Sequence, residues 1–473
     1  MFDKSTLYDS IDKHAPTITA LSDAIWEFAE LSMEEHHSAA YYCELLEKEG
    51  FEVQRALCGI PTAFSGSFGS GRPRIGILGE FDALSGLSQV PGSTQPQPLT
   101  PGGNGQGCGH NLLGAASFGA ALAVKEAIER GQLHGTVIFY GCPGEEGCAG
   151  KTFMARDGMF QDLDAALTWH PGDTNEIKVG ASAACMQVEY TFTGIASHAA
   201  NNPDMGRSAL DAAELMHVGV QFLREHMPPN SSVHYSITDA GGVSPNVVQA
   251  QAKTVFMVRG ETVRKAKALL ERVNKIAQGA ALMTETSFTM RQIDGTASTL
   301  PNEALEQVLY ANMQQVPIPE YSAAEWEFAR ALHATYPAAV PGLLSGSNRQ
   351  VWAYANQMTD GGKRAINDFI MPYVPSAAYS PGSTDVGDVS WLTPTAQITT
   401  ATWTSSAPGH SWQNVSIGKT GIAYKGMLQA AKILAGSTAD LMEQPELLAK
   451  ARAEFKEAAA EGYDCPIGKE VTY

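Results

Sequence analysis

Basic residues are scarce in this chain. Its 473 residues hold 32 Lys and Arg against 50 Asp and Glu, a formal net charge of −18. That balance argues against nucleic acid and against anionic membrane surfaces as partners. It also means that any site for an anionic ligand must be built locally by a few Arg or Asn side chains. Cysteine is sparse as well: there are seven, an odd number with no disulfide-like spacing, which predicts no disulfide framework and a reducing cytoplasm as the setting. The opening stretch MFDKSTLYDSIDKHAP has no apolar core, so no cleaved signal peptide is expected. No apolar run reaches the roughly 18 residues that a transmembrane helix needs. What remains, with 44% hydrophobic and 17% charged residues, is a soluble globular chain. It is long enough for two or three domains.

Against that background four short motifs carry metal-binding chemistry. They are GCGHNLLG (107–114), PGEEGCAGK (143–151), LTWHPG (167–172) and SSAPGHSWQ (405–413). Together they supply Cys108, His110, Glu145, Glu146, His170 and His410, a set of S, N and O donors suited to borderline divalent ions. There are enough donors for two ions, with a carboxylate left over for acid/base work, so metal-assisted hydrolysis is the leading reading. Each motif has a blander reading. The tract GGNGQGCGH can be a Gly-rich turn around a buried Cys, the Glu pair a solvated turn, and a lone His a hydrogen-bonded surface or core residue. The Gly tract does not fit GxGxxG, so a dinucleotide site is not indicated. Cys142 and Cys148 flank the Glu pair without zinc-knuckle spacing and read as small packing residues.

The order of elements raises the metal reading above the bland ones. Residues 74–79 (RIGILG), 136–141 (TVIFYG) and 164–169 (DAALTW) read as buried strands, with helices at 110–129 and about 150–157 between them. Strand–helix alternation of this kind predicts a mixed, mostly parallel α/β sheet with helices on both faces. Asp82, the Glu pair and His170 each follow a strand, and the carboxyl ends of such strands form the site crevice. Further on, strands at 185–193, 231–239, 246–258 and 284–291 and helices at 207–228 and 262–281 give the order β-α-β-β-α-β, a ferredoxin-like insertion. The predicted layout is a catalytic domain in two parts, 1–183 and 297–473, around an inserted domain at 184–296. Residues 340–383, rich in Gly, Pro, Ser and Asn, read as long loops.

GEFDALSG, GCGHNLLG, PGEEGCAGK, LTWHPG, GIASHAANNP, GGVSPNVVQA and GSTDVGDVSW follow one another along nearly the whole chain. In that order they resemble the M20 metallopeptidases, within them the amidohydrolase branch in which a Cys replaces a bridging carboxylate. One departure follows His110, where many members have Asp and a second His and this chain has Asn111 and Leu113. The resemblance implies a zinc-exopeptidase-like fold with a dimerisation or lid domain, and two divalent ions, Mn or Zn, held by Cys108, His110, Glu146, His170 and His410. It implies Glu145 as general base and Asp82 as a residue orienting a ligand or the water. It implies His198 as an oxyanion donor reaching into the site of a partner protomer, and Asn246 and Arg259 as holders of the substrate carboxylate. Asp385 is a weaker candidate, a supporting acid or a loop cap.

The expected substrate is a small N-acyl or N-aroyl amino acid, foremost p-aminobenzoyl-glutamate, with Phe81, Trp391 and Trp412 as candidate pocket walls. The expected assembly is a homodimer or a heterodimer with a related subunit. Other readings stay open: a hydrolase of other N-acyl amino acids or dipeptides, a Cys108–His110 nucleophilic hydrolase, and a non-catalytic partner in a hetero-oligomer. The Cys-x-His spacing and the lack of an oxyanion motif count against the second, and the intact donor set with Glu145 counts against the third.

Overall fold

In the computed structural model, residues 2–342 and 348–473 are described, and the chain forms two compact units. The first comprises residues 1–180, 300–378 and 389–462. Its strands are β1 (Glu52–Arg55), β2 (Phe64–Ser70), β3 (Arg74–Gly79), β4 (Gly135–Gly141), β5 (Ala165–Gly172), β6 (Glu176–Ile177) and a late strand, Thr395–Ala401. They make one sheet in the order β1-β2-β4-β3-β5-late strand-β6. The four middle strands run parallel, in registers such as Gly79 opposite Gly141 and Ala401 opposite Gly172. β1, β2 and β6 pair antiparallel at the flanks.

The sequence explains this sheet. Every residue of β4 is buried, and Thr136–Tyr140 is β-branched or aromatic, as a parallel strand covered on both faces requires. Val137 and Phe139 join the main core with helices α1 (Ser5–Phe28) and α3 (His110–Glu129). On the opposite face Tyr140 meets Phe160 edge-on at 5.2 Å. A second helix, α2 (His36–Lys48), contributes Tyr42 to the core, and α4 (Gly150–Arg156) links β4 to β5. The helix α3 is buried almost all round and must come close to the end of β3. Gly114 allows it, since a Cβ there would sit 2.2 Å from the Tyr42 hydroxyl and 2.7 Å from the Glu80 carbonyl oxygen.

The second unit comprises residues 181–299, 379–388 and 463–473. After a short β7 (Ala181–Ser182) come β8 (Ala184–Thr193), α5 (Ala209–Arg224), β9 (Ser232–Asp239), β10 (Gln251–Gly260), α6 (Val263–Thr284) and β11 (Ser287–Thr296). Their sheet order, β11-β8-β10-β9, is wholly antiparallel and is the ferredoxin-like arrangement. Ser208 and Thr262 cap the two helices, each accepting from a backbone N–H three residues on. The insertion does not form this unit alone. β12 (Tyr379–Ser380) pairs with β7, and Tyr463 donates to the buried Asp388.

Several sequence expectations shift. β10 begins at Gln251 rather than 246, because residues 246–248 are engaged by the His198 loop instead. α5 ends at Arg224, before Pro228–Pro229. The stretch 340–383 contains a helix, Arg349–Met358, started by the Asn348 side chain, while its residues 343–347 lie outside the described residues. Among the described residues, no helix is long and apolar enough to cross a membrane.

Candidate metal centre and its hydrolase family

The parallel strands deliver the candidate residues to one edge. Glu80 and Asp82 follow β3, Glu145 and Glu146 follow β4, His170 lies within the end of β5, and His410 follows the late strand. Cys108 and His110 come from the start of α3, where Gly109 takes a left-handed conformation (φ 77°) that a residue with a Cβ adopts only at a cost. His410 itself has φ 50°, a strained backbone for a non-glycine residue, at an exposed turn.

The result is two clusters with a shared member. Donor atoms of Cys108, His110 and His170 lie within 4.8 Å of one another, and so do those of Cys108, Glu146 and His410. A thiolate is able to bridge two ions. Cys108 Sγ is 3.4 Å from His170 Nε2, and Glu146 Oε2 is 3.5 Å from His410 Nε2. Both imidazoles, His110 buried and His170 half-buried, are oriented by their other nitrogen. His110 Nδ1 bonds Asp82 Oδ1 at 2.8 Å, and His170 Nδ1 donates to the Pro171 carbonyl at 2.7 Å. Each ring therefore turns Nε2 toward Cys108, the arrangement that metal-ligating histidines adopt. Asp82 does more than hold His110: its other oxygen accepts from Ser32 Oγ at 2.8 Å and from the Glu146 backbone N–H at 2.9 Å. One carboxylate thus braces a donor of each cluster.

The electrostatics fit a cation. Glu80 Oε2, His110 Nε2 and Glu146 Oε1 are buried without a hydrogen bond. Orphaned polar atoms of this kind are costly unless an ion or water meets them. Burial pushes the Cys108 thiol up, despite the opposing pull of His110, so the thiolate needs a further positive charge, which a bound metal supplies. Burial, then the charge of His110, pushes His170 down to about 4, leaving it neutral and able to ligate. Burial opposes the charge on Asp82, but His110 outweighs it and holds the carboxyl below its usual range.

Sequence reading missed the residues around this core. Glu80 is buried, with Oε1 2.7 Å from Nζ of the wholly buried Lys151. Glu80, His110 and Glu145 form a third group of donors within 4.8 Å. Glu35 accepts from the Gly144 N–H at 2.8 Å, fixing the turn that aims the Glu pair; burial, then the charge of Asp82, raises it to about 8. Of the proposed pocket walls, Phe81 is not one. It is fully buried among Tyr42 and Phe64 in the core. Trp412 packs partly buried beside Trp403 and Ile417. Asn111 does not face the donors either: its side chain bonds Ser22 Oγ and the Gly418 carbonyl, so its departure from the related sequences tunes packing.

The remaining candidates lie in the second unit. His198 is exposed, and its Nδ1 accepts from the N–H groups of Ala200 and Asn201 at 3.2 and 3.1 Å, which leaves Nε2–H as an outward donor. Asn246 is adjacent, its carbonyl bonded to the Ala199 N–H at 2.9 Å. Arg259 is not with them. It lies at the far end of β10, roughly 25 Å of extended chain from Gln251, where it donates to Ser383 Oγ at 2.5 Å and to the Pro381 carbonyl at 3.3 Å. Within one chain, Asn246 and Arg259 do not form a single carboxylate clamp. Asp385 is buried in this unit, and burial with the charge of Asp385 raises Asp294 to about 7.

A strand-end cluster of S, N and O donors beside a spare carboxylate, on a mixed α/β sheet with a ferredoxin-like unit, fits a metal-assisted hydrolase. Residues 78–289 match Peptidase family M20/M25/M40. The chain is 44% identical over 472 residues to one of the subunits of p-aminobenzoyl-glutamate hydrolase from Escherichia coli, covering 98% of this chain and 97% of that protein. It is 28% identical to human Xaa-Arg dipeptidase, covering 95% and 91% of the two chains. Among solved structures, a dinuclear metal binding peptidase of the M20 family from Bacillus subtilis superposes with a TM-score of 0.57 at 18% identity, covering 91% of this chain and 99% of that one. An aminobenzoyl-glutamate utilization protein from Klebsiella pneumoniae superposes with a TM-score of 0.56 at 16% identity, covering 89% and 98%. The chain belongs to the M20 family of peptidases and amidohydrolases.

Proposed function

We propose that this M20 hydrolase uses two divalent ions, Mn or Zn, to cleave p-aminobenzoyl-glutamate to p-aminobenzoate and glutamate. The observation that carries the metal reading is the pair of donor clusters sharing Cys108. The substrate rests on the name of the relative that is 44% identical over nearly the full chain. In this reading Cys108, His110 and His170 hold one ion, and Cys108, Glu146 and His410 the other. When bound, the ions supply Lewis-acid activation of water and of the scissile carbonyl.

The protein's own groups do the rest. Glu145, beside His110 but outside the two clusters that share Cys108, takes the proton from the attacking water and returns it to the leaving amide nitrogen. Asp82 keeps His110 and the Glu146 backbone in place. His198 donates through Nε2–H to the oxyanion of a site in a second chain. Arg259 offers a planar fork to the glutamate carboxylate. Asn246 lies in the loop before β10 and Arg259 near the far end of that strand, which favours a clamp completed by two chains. The partner is a second copy or a related subunit. The latter is supported by two relatives that are different subunits of the p-aminobenzoyl-glutamate hydrolase of E. coli; the second of them is 28% identical to this chain over 214 residues. The enzyme is expected in the cytoplasm.

The test is a metal-supplemented assay of the purified chain against p-aminobenzoyl-glutamate and a panel of other acyl amino acids and dipeptides. Preferred release of p-aminobenzoate, abolished by chelator and indifferent to a thiol-blocking reagent on the loaded enzyme, is the expected result. Turnover of only other acyl amino acids would overturn the substrate. Turnover that survives chelation but not thiol blocking would replace the metal mechanism with a Cys108 nucleophile. Activity only after adding a related subunit would assign this chain to a hetero-oligomer.

A further inference from the structure

Two carboxylates flank one imidazole at the end of β3. Glu80 and Asp82 are two residues apart on an extended segment, so their side chains leave on the same side. Both reach His110. Asp82 Oδ1 bonds Nδ1 at 2.8 Å, and Glu80 Oε2 stands 3.3 Å from Nε2. The two contacts differ in kind. The Asp82 contact is a hydrogen bond, whereas neither Glu80 Oε2 nor His110 Nε2 has a hydrogen-bond partner, although both are buried. Asp82 takes the N–H of Nδ1, so Nε2 is the ring atom that faces Glu80 Oε2. A positive charge between these two atoms, a proton or a metal ion, holds them together, and Nε2 is the nitrogen that would ligate an ion.

We propose that Glu80 is a direct ligand of the ion held by His110, and that Lys151 is the buried counter-charge that fixes its other oxygen. The proposal rests on the reading that His110 binds a metal. Lys151 lies wholly buried in α4 with Nζ 2.7 Å from Glu80 Oε1. It therefore leaves Oε2 as the oxygen free to turn to the ion. Glu145 completes a third group of donors with Glu80 and His110. A carboxylate bound on the His110 side also keeps Glu145 off that ion, available as a base. The roles of the acids after β3 and β4 then follow from position: Glu80 and Glu146 ligate, Asp82 orients His110, and Glu145 moves the proton.

The direct test is diffraction from the full chain loaded with Mn or Zn, with an anomalous map to place the ions. A Glu80 oxygen about 2.0–2.2 Å from the ion that His110 binds supports the proposal. A Glu80 oxygen beyond bonding distance, or bonded only to Lys151, overturns it. The second measurement is chelator-competition titration of the wild-type chain and Glu80→Gln, with the melting temperature of both metal-free proteins as the check on folding. Weakening of one ion by about 10-fold or more, with the other ion and the metal-free melting temperature little changed, is expected. Equal affinity in both proteins overturns this inference alone, whereas a wild-type chain that holds no ion overturns the metal reading along with it. Lys151→Met should widen the gap between loaded and metal-free melting temperatures. An unchanged gap removes Lys151 from the proposal.

Discussion

The two units hold their functional candidates in opposite ways. In the first, Cys108, His110, Glu146 and His170 are wedged at strand ends and a helix start, and Asp82 alone ties together His110, Ser32 and the Glu146 backbone. In the second, His198 and Asn246 stand exposed on neighbouring loops, and Arg259 lies at the other end of β10. The first unit carries its donors pre-arranged, as electrostatic catalysis in a fixed site demands. In the proposed reading the second carries residues that act only when a substrate or partner meets them. Chemistry and recognition would then be separable, and substitutions should sort by unit.

The largest effect belongs to the first unit. Glu145→Ala should lower kcat by about 10²–10⁴-fold while leaving metal content intact, and Glu146→Ala should lose metal as well. Elemental analysis beside single-substrate kinetics checks both. The opposite pattern, with metal lost from Glu145→Ala and kept by Glu146→Ala, would exchange the two roles. Next comes the second unit. Arg259→Ala should raise KM for p-aminobenzoyl-glutamate by about 10–100-fold, the worth of a charge-assisted hydrogen bond, and leave KM for an uncharged amide analogue nearly unchanged. Equal effects on both substrates would make Arg259 a structural partner of Ser383 and the Pro381 carbonyl.

Mixing inactive Glu145→Ala with inactive His198→Ala chains, coexpressed so that they assemble together, probes whether the second unit works across a chain boundary. Random pairing of two copies places an intact composite site in half of the mixed dimers' sites, so roughly a quarter of wild-type activity should return. No recovery despite proven mixed dimers would confine His198 to its own chain or remove it from catalysis.

The smallest effect concerns stability. Burial, then the charge of Asp385, raises Asp294 to about 7, against the partial opposition of Arg259. The folded chain therefore keeps this proton to a higher pH than the unfolded chain does, whose carboxyl titrates near 3.8. The contribution is favourable to folding below about pH 4 and is lost progressively as pH rises to about 7. Asp294→Asn should thus stabilise the chain at pH 8, by up to about 4 kcal/mol, and give no gain at pH 4. Thermal melts at the two pH values decide it, and a gain at pH 4 equal to that at pH 8 would refute the pH dependence.

The same contrast governs how much could be read from the sequence. The strand at 74–79 and the helix at 110–129 were legible to the residue, because a strand covered on both faces is written as an unbroken apolar run and α3 is apolar almost all round. The flanking strand β2, FSGSFGS, is written in Ser and Gly, and only its antiparallel pairing with β4 makes it a strand. The donors in Gly-Cys-Gly-His and Pro-Gly-Glu-Glu were visible because their turns are short and local. Glu80 was not, since its meaning comes from His110 and Lys151, far along the chain. The separation of Asn246 from Arg259 was hidden for a related reason. Thirteen residues look close in sequence, but most of them lie in an extended strand that spends them on length.

The most direct measurement is metal counting on the crystallised, fully loaded chain, by elemental analysis and an anomalous difference map. Two divalent ions per chain are expected, about 3.5–4 Å apart, with the Cys108 sulfur between them, His110 and His170 on one side and Glu146 and His410 on the other. A fully loaded chain with a single ion, or with two ions that do not share Cys108, would contradict the two-metal centre.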